Sequence, residues 1–235
     1  MAQNLVVPPG FVPYPDPDDV FMEDVGLHLK VFHPILTIPA AQVDPTWTGQ
    51  FHFVLPIEPY DGALGEGSTD YYGPHCGEAW IKFVRIGSKY RFAGDWRYFA
   101  INREHDVEAD FWYGEANKSY AERRCAWHEQ GLMNRQSDSF GWGTAFGGNA
   151  LAGNWTNDLS LPDEVAKWGF RPSRMMREDE TVNGVNFTHP LNEQGQRYRL
   201  IGILVGYRYR DHGADKLLMF YDTPSSTILI MLDFS

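Results

Sequence analysis

Hydrophobic and polar residues along this chain alternate with a period of two far more often than with the 3.6-residue period of a helix, and turn residues interrupt them at short intervals. The pattern predicts strands over residues 50–57, 79–85, 89–92 and 96–101, with Gly87-Ser88 and Gly94-Asp95 as the turns of a meander. Its clearest stretch is 199–210. There Leu200, Gly202, Leu204, Gly206, Arg208 and Arg210 fall on one face, and Ile201, Ile203, Val205, Tyr207 and Tyr209 on the other. Strands over 216–221 and 227–234 flank the turn-forming residues 222–226, a hairpin expected to bury Leu218, Phe220, Ile228, Ile230 and Leu232. One helix is predicted from the capping box Ser119-Tyr120-Ala121-Glu122 to a stop at Gly131. A second is predicted over 161–168, with Ser160 as N-cap, Pro162 in the first turn and Gly169 past the end. Residues 171–197 turn polar and read as a long excursion, and no internal repeat stands out. The opening prolines, Pro8, Pro9, Pro13, Pro15 and Pro17, read as an extended arm or the cover of a sheet edge. Together these elements predict a β-rich α+β fold, mostly antiparallel sheet with a few short helices.

Composition sets the scale. A chain of 235 residues with 43% hydrophobic content can bury a core of its own, and a single domain over 1–235 is expected, with the proline-rich arm covering 1–20. The first residues lack a positive stretch followed by an apolar one, and no run of about 18 apolar residues occurs. The expectation is a cytoplasmic protein with no membrane partner. Cys76 and Cys125 are too few for a dense disulfide framework, so reduced thiols are expected.

Charge narrows the choice of partner. Thirty-one acidic residues against 20 basic give a formal net charge of -11, the wrong sign for direct binding to nucleic acid. Acid concentrates at Asp16, Asp18, Asp19, Glu23 and Asp24, and again at Glu104, Asp106, Glu108 and Asp110. Each cluster serves as a solvated face or as a footprint that steers a cationic partner.

The motifs that could carry chemistry are negative in most cases. The stretch FGWGTAFGGNALAGNW over 140–155 has Gly141, Gly143 and Gly147, one residue out of step with G-x-G-x-x-G. Gly147-Gly148 is followed by Asn149-Ala150 rather than the Lys and Ser/Thr of a phosphate loop. Its glycines instead suit backbone running tightly past Trp142, Phe146 and Trp155. His75-Cys76 and Cys125-x-x-His128 could offer four metal ligands, yet neither is a C-x-x-C pair, and apolar roles for the thiols are expected. Asp211-His212-Gly213-Ala214-Asp215 places two carboxylates and an imidazole at a strand end, although the same residues make a good turn. No metal, cofactor or catalytic residue is therefore assigned. An enzyme built around Asp211, His212 and Asp215, metal-dependent or hydrolytic, is the competing reading, and a carbohydrate-binding surface of aromatic residues is a third.

The Gly147-Gly148 and Trp155 block, followed by 209–221 (YRDHGADKLLMFY) and a closing apolar strand, resembles the YwqG-like bacterial domains, over the C-terminal two fifths of the chain. The resemblance implies a β-rich α+β fold and a place among immunity proteins, notably those guarding against type VI secreted nucleases. It carries over no catalytic residue. With the acidic balance, it makes a cognate toxin, a basic nuclease whose active site is occluded, the expected partner. The two acidic clusters would steer that partner, and Tyr113 and Trp142 would be its aromatic anchors.

Overall fold

The computed structural model describes residues 7–57, 64–103, 106–131, 145–160 and 175–233. In chain order the strands are β1 (Val12–Pro13), β2 (Phe32–Pro39), β3 (Gln50–Pro56), β4 (Cys76–Gly77), β5 (Trp80–Ile86), β6 (Lys89–Phe92) and β7 (Ala145–Phe146). They continue with β8 (Ala150–Leu151), β9 (Leu159–Ser160), β10 (Met175–Val182), β11 (Val185–Leu191), β12 (Arg199–Leu204), β13 (Lys216–Asp222) and β14 (Thr227–Asp233). The α-helices are α1 (Pro17–Val20), α2 (Val25–Leu29) and α3 (Val107–Gln130). Strands β1-β2-β3 form one sheet, β4-β5-β14-β13-β12-β7 a central sheet with β6 also on β5, and β8-β11-β10-β9 a third. Every pairing between these strands is antiparallel except that of β9 with β10. The β-rich, mostly antiparallel α+β fold read from the sequence is what the chain forms.

The expected C-terminal hairpin is β13–β14, and it is buried on both faces rather than one. Leu217, Met219 and Tyr221 of β13, with Ile228, Ile230 and Leu232 of β14, point into a core shared with β2, β3 and α3. The intervening Leu218, Phe220, Leu229 and Met231 enter a second core with Trp80, Trp155, Leu159, Met175, Tyr198 and Leu200. Strict alternation thus distributes an unbroken apolar run between two layers.

Where sequence and structure part, a local hydrogen bond or a tight backbone approach is responsible. The stretch 199–210 is a strand only to Leu204, because Gly206 lies flat on the backbone of Ala214, where an added Cβ would come within 2.8 Å of the carbonyl oxygen. A 3-10 turn over Gly206–Arg208 follows, so Arg208 and Arg210 leave the predicted face. A bulge between Leu200 and Gly202 then places Ile201 in the first core. Residues 96–101 form two 3-10 turns instead of a strand, since Asp95 takes the backbone N–H of Arg97 on its own side chain. The polar excursion contains the β10–β11 hairpin, turned at Asn183 and Gly184, both with positive φ. In the arm, Val12–Pro13 pairs with the edge of β2, and Phe11 and Tyr14 join the core.

Helix α3 starts thirteen residues ahead of its predicted capping box. Asp106 is the N-cap, accepting from the N–H groups of Glu108 and Ala109 at 3.0 and 3.1 Å, and Gly131 ends the helix in the left-handed region as expected. Ser119 lies mid-helix on the buried stripe Ala109, Tyr113, Ala116, Ser119 and Tyr120, where its hydroxyl binds outside the helix. The second predicted helix, 161–168, lies outside the described residues; Ser160, its expected cap, closes β9.

Candidate functional site

The inner face of α3 is fixed by a polar network. Arg210, fully buried, can only donate, so its 3.1 Å contact with Nδ1 of His33 makes that nitrogen an acceptor and places the ring proton on Nε2. Nε2–H then donates to Oδ1 of Asn117 at 3.0 Å, while the Asn117 amide donates to the carbonyl of Tyr113. His33 stacks on Tyr120 at 4.1 Å with the rings 3° apart, and the Tyr120 hydroxyl donates to the carbonyl of Pro34. Burial, then the Arg210 charge, holds His33 well below the usual imidazole range, as a neutral link. The Arg210 guanidinium also donates to the carbonyl of Pro56 at 2.8 Å. One network thus ties α3 to β2, β3 and the β12–β13 connection.

The provocative Asp211-His212 pair belongs to the same support. Ser119 donates to the Asp211 carboxylate at 3.0 Å and accepts from its backbone N–H at 2.9 Å, and Arg123 pairs with the other carboxylate oxygen. Burial alone would raise the Asp211 carboxyl, but the Ser119 hydrogen bond and the Arg123 charge outweigh it and hold the group below its ordinary value. His212, in the left-handed region, lies edge-on to Trp112 at 5.2 Å. These groups brace a turn against a helix, an arrangement that leaves Asp211 a poor proton acceptor.

Opposite the brace, α3 presents a ridge. Val107 is 72% exposed and Phe111 58%, one helical turn apart, and Gly114 and Lys118 extend the same stripe. Glu108 and Glu115 flank the two apolar side chains and make no ion pair among the described residues. Asp110 and Glu108 stand in the first turn, where they also complement the positive helix end.

The expected anchors are redistributed by the 100° step of the helix. Tyr113 is 1% exposed and lies in the first core, so it offers nothing to a partner; Phe111, two residues earlier, holds the outward position. A wheel drawn on DFWYG separates the two, but only once the helix is known to begin before Ser119. Trp142 and Glu104 lie outside the described residues, as does the 140–144 part of the glycine stretch.

Asp16, Asp18, Asp19, Glu23 and Asp24 are all exposed. Asp16 caps α1 through the N–H of Asp18, Asp24 is the N-cap residue of α2, and Glu23 pairs with Arg91 at 3.1 Å. The field of Asp16 reaches the phenol of Tyr120 on α3, whereas that of Asp19 reaches His52 and Glu23 holds Arg91 of β6.

Other expectations resolve as structure. Gly147 and Gly148 both have positive φ, and the Gly147 N–H donates to the carbonyl of Ile201 rather than facing a ligand. They border a cleft of about 290 Å³ lined also by His189, Arg197 and Arg199. Its arginines already hold carboxylates, Arg197 those of Glu178 and Glu180 and Arg199 that of Asp44. Trp155 is buried in the second core. Cys76 sits in the first core, where burial pushes its thiol up to about 12, whereas Cys125 is exposed on α3. No group of three His, Cys, Asp or Glu side chains able to hold a metal occurs among the described residues. No described helix is long and apolar enough to cross a membrane. Against family models, curated proteins and solved structures the chain gives no match.

Proposed function

We propose that this chain is a cytoplasmic immunity protein that docks on a basic nuclease toxin through the outer ridge of α3 and occludes the toxin's active site. The carrying observation is the exposed Val107–Phe111 pair, flanked by unpaired carboxylates on a helix whose inner face is fixed by the His33–Arg210 network. An apolar anchor inside a charged rim is the usual anatomy of a hot spot, and a rigid support lowers the entropy lost on binding. A net charge of -11 adds long-range attraction toward a site built to receive polyanionic DNA. The resemblance to YwqG-like immunity domains points the same way.

The test starts from the neighbouring genes: a nuclease domain encoded there is coexpressed with this chain and titrated against it. Coexpression should restore growth. Reversing Glu108 and Glu115 to Lys should slow association at low salt and matter little at high salt. Absence of binding to that nuclease, or an association rate unmoved by reversing Glu108, Glu115 and the five N-terminal acids, would defeat the reading.

A further inference from the structure

Twice on this surface an aromatic ring, a carboxylate and an arginine form one unit. Arg199 lies over the half-buried ring of Trp47 at 4.3 Å while its Nη2 donates to the Asp44 carboxylate at 3.0 Å. Arg97 lies over the ring of Tyr71 at 5.1 Å and pairs with Asp95 at 2.6 Å. The ring supplies a negative face and the carboxylate a countercharge, two features that a planar guanidinium satisfies together.

The first half of α3 carries the same two features. Glu108, Phe111, Trp112 and Glu115 stand at i, i+3, i+4 and i+7, so they share one helix face, with the rings between the carboxylates. Phe111 and Trp112 meet edge to face at 5.1 Å, and Trp112 and His212 at 5.2 Å, which makes an aromatic corner where α3 meets the β12–β13 connection. The corner is fixed from behind. His212 is held in the left-handed region, a Cβ on Gly213 would come within 2.5 Å of the Gly206 carbonyl carbon, and the Asp211 N–H donates to Ser119. Among the described residues no lysine or arginine lies over Phe111 or Trp112, and Glu108 and Glu115 make no ion pair. Along α3 itself no basic residue occurs before Lys118.

We propose that this corner receives an arginine side chain of the basic partner, its guanidinium stacked on the Phe111 and Trp112 rings with the carboxylates of Glu108 and Glu115 as countercharges. This role rests on the docking of a basic partner at α3 proposed above, and it assigns the anchor to a cation rather than to an apolar side chain. Arginine suits the site better than lysine, because a planar guanidinium stacks on a ring while its in-plane N–H groups still donate to a carboxylate. Charge draws such a group in from a distance, but an exposed ion pair alone holds it weakly, so the rings carry the retention.

The first arm of the test needs no toxin. N-acetyl-arginine N-methylamide is titrated at low salt into the intact, isotopically labelled protein and followed through the Trp112 indole and amide resonances. The citrulline counterpart, neutral and of nearly equal shape, is the control. Only the arginine probe is expected to shift Trp112, and Phe111→Leu, which keeps an apolar side chain but removes the ring, should abolish most of that shift. In the second arm Phe111→Leu is titrated against the nuclease encoded in the neighbouring genes, where about a tenfold loss of affinity is expected. Equal shifts from the two probes, no shift from either, or undiminished nuclease affinity in Phe111→Leu overturns the proposal. In the last case an apolar ridge, and with it the proposed function, still stands. Should the nuclease fail to bind while the arginine probe shifts Trp112 in the wild type and not in Phe111→Leu, the cation-binding corner stands and the nuclease reading falls.

Discussion

His52 offers a quantitative test of the buried polar core. Its ring is nearly sealed in the first core, with Nδ1 on the Thr37 hydroxyl at 2.7 Å and the ring edge-on to Tyr90 at 5.4 Å, and burial lowers its pKa from 6.5 to about 4. The folded value lies below the unfolded one, so as pH falls the unfolded chain takes up the proton first. The stability contributed by the neutral ring is complete above pH 6.5 and drains away as pH falls toward 4. At about 1.4 kcal/mol per unit, a gap of this size is worth about 3 kcal/mol in full, and about 2 kcal/mol of it is lost between pH 7 and pH 5. The assay is urea unfolding followed by tryptophan fluorescence at both pH values, for the wild type and for His52→Gln. Glutamine removes the titration while keeping an amide near Thr37. Whatever His52→Gln does at pH 7, its loss of stability between pH 7 and pH 5 should be smaller than that of the wild type by about 2 kcal/mol. An equal loss in both proteins would refute the claim that His52 is held neutral by burial. His28 and His33, both lowered first by burial, act with the same sign and keep the wild type acid-sensitive in either outcome.

Other expectations follow from single positions. Phe111→Ala should leave the melting temperature nearly unchanged and, on the proposed function, cost about 2 kcal/mol or more in affinity for the proposed nuclease partner, whereas Tyr113→Ala should cost about 3–5 kcal/mol of stability; calorimetric melts and titrations separate the two. Gly202→Ala puts a Cβ 2.8 Å from Phe146 and 2.9 Å from Phe53, and about 1–3 kcal/mol of destabilisation is expected in chemical unfolding. Asp211→Ala should raise amide hydrogen exchange in α3 around Ser119 and Arg123 while leaving the β13–β14 amides protected.

The strands were legible where side chains alternate along a buried sheet. Residues 50–57, 89–92, 216–221 and 227–234 lie within one residue of β3, β6, β13 and β14, because the period of two follows directly from the pleat. Helix α3 was only half legible. Its buried stripe is built from Ala109, Ala116 and Ser119 as well as two tyrosines, and such small residues leave little apolar contrast between faces. The Asn183-Gly184 hairpin hid behind Glu178, Asp179 and Glu180, whose strand is largely solvated and so lacks apolar alternation. Of the candidate site, the acidic groups were found by count alone. Phe111 required the helical phase, which is set by an N-cap at Asp106 that the reading from Ser119 did not use.

The two-faced β13–β14 hairpin has a consequence for biosynthesis. Every described strand and helix that packs against it precedes it in the chain, and both cores stay open along one side until its alternating residues arrive. During translation, which proceeds from the N-terminus, the earlier sheets must wait with apolar surface uncovered, so completion of the two layers is a late, joint event rather than a stepwise one. A ribosome stalled before residue 216 would hold a chain with two unfinished interiors, vulnerable to proteases and to pairing with its neighbours.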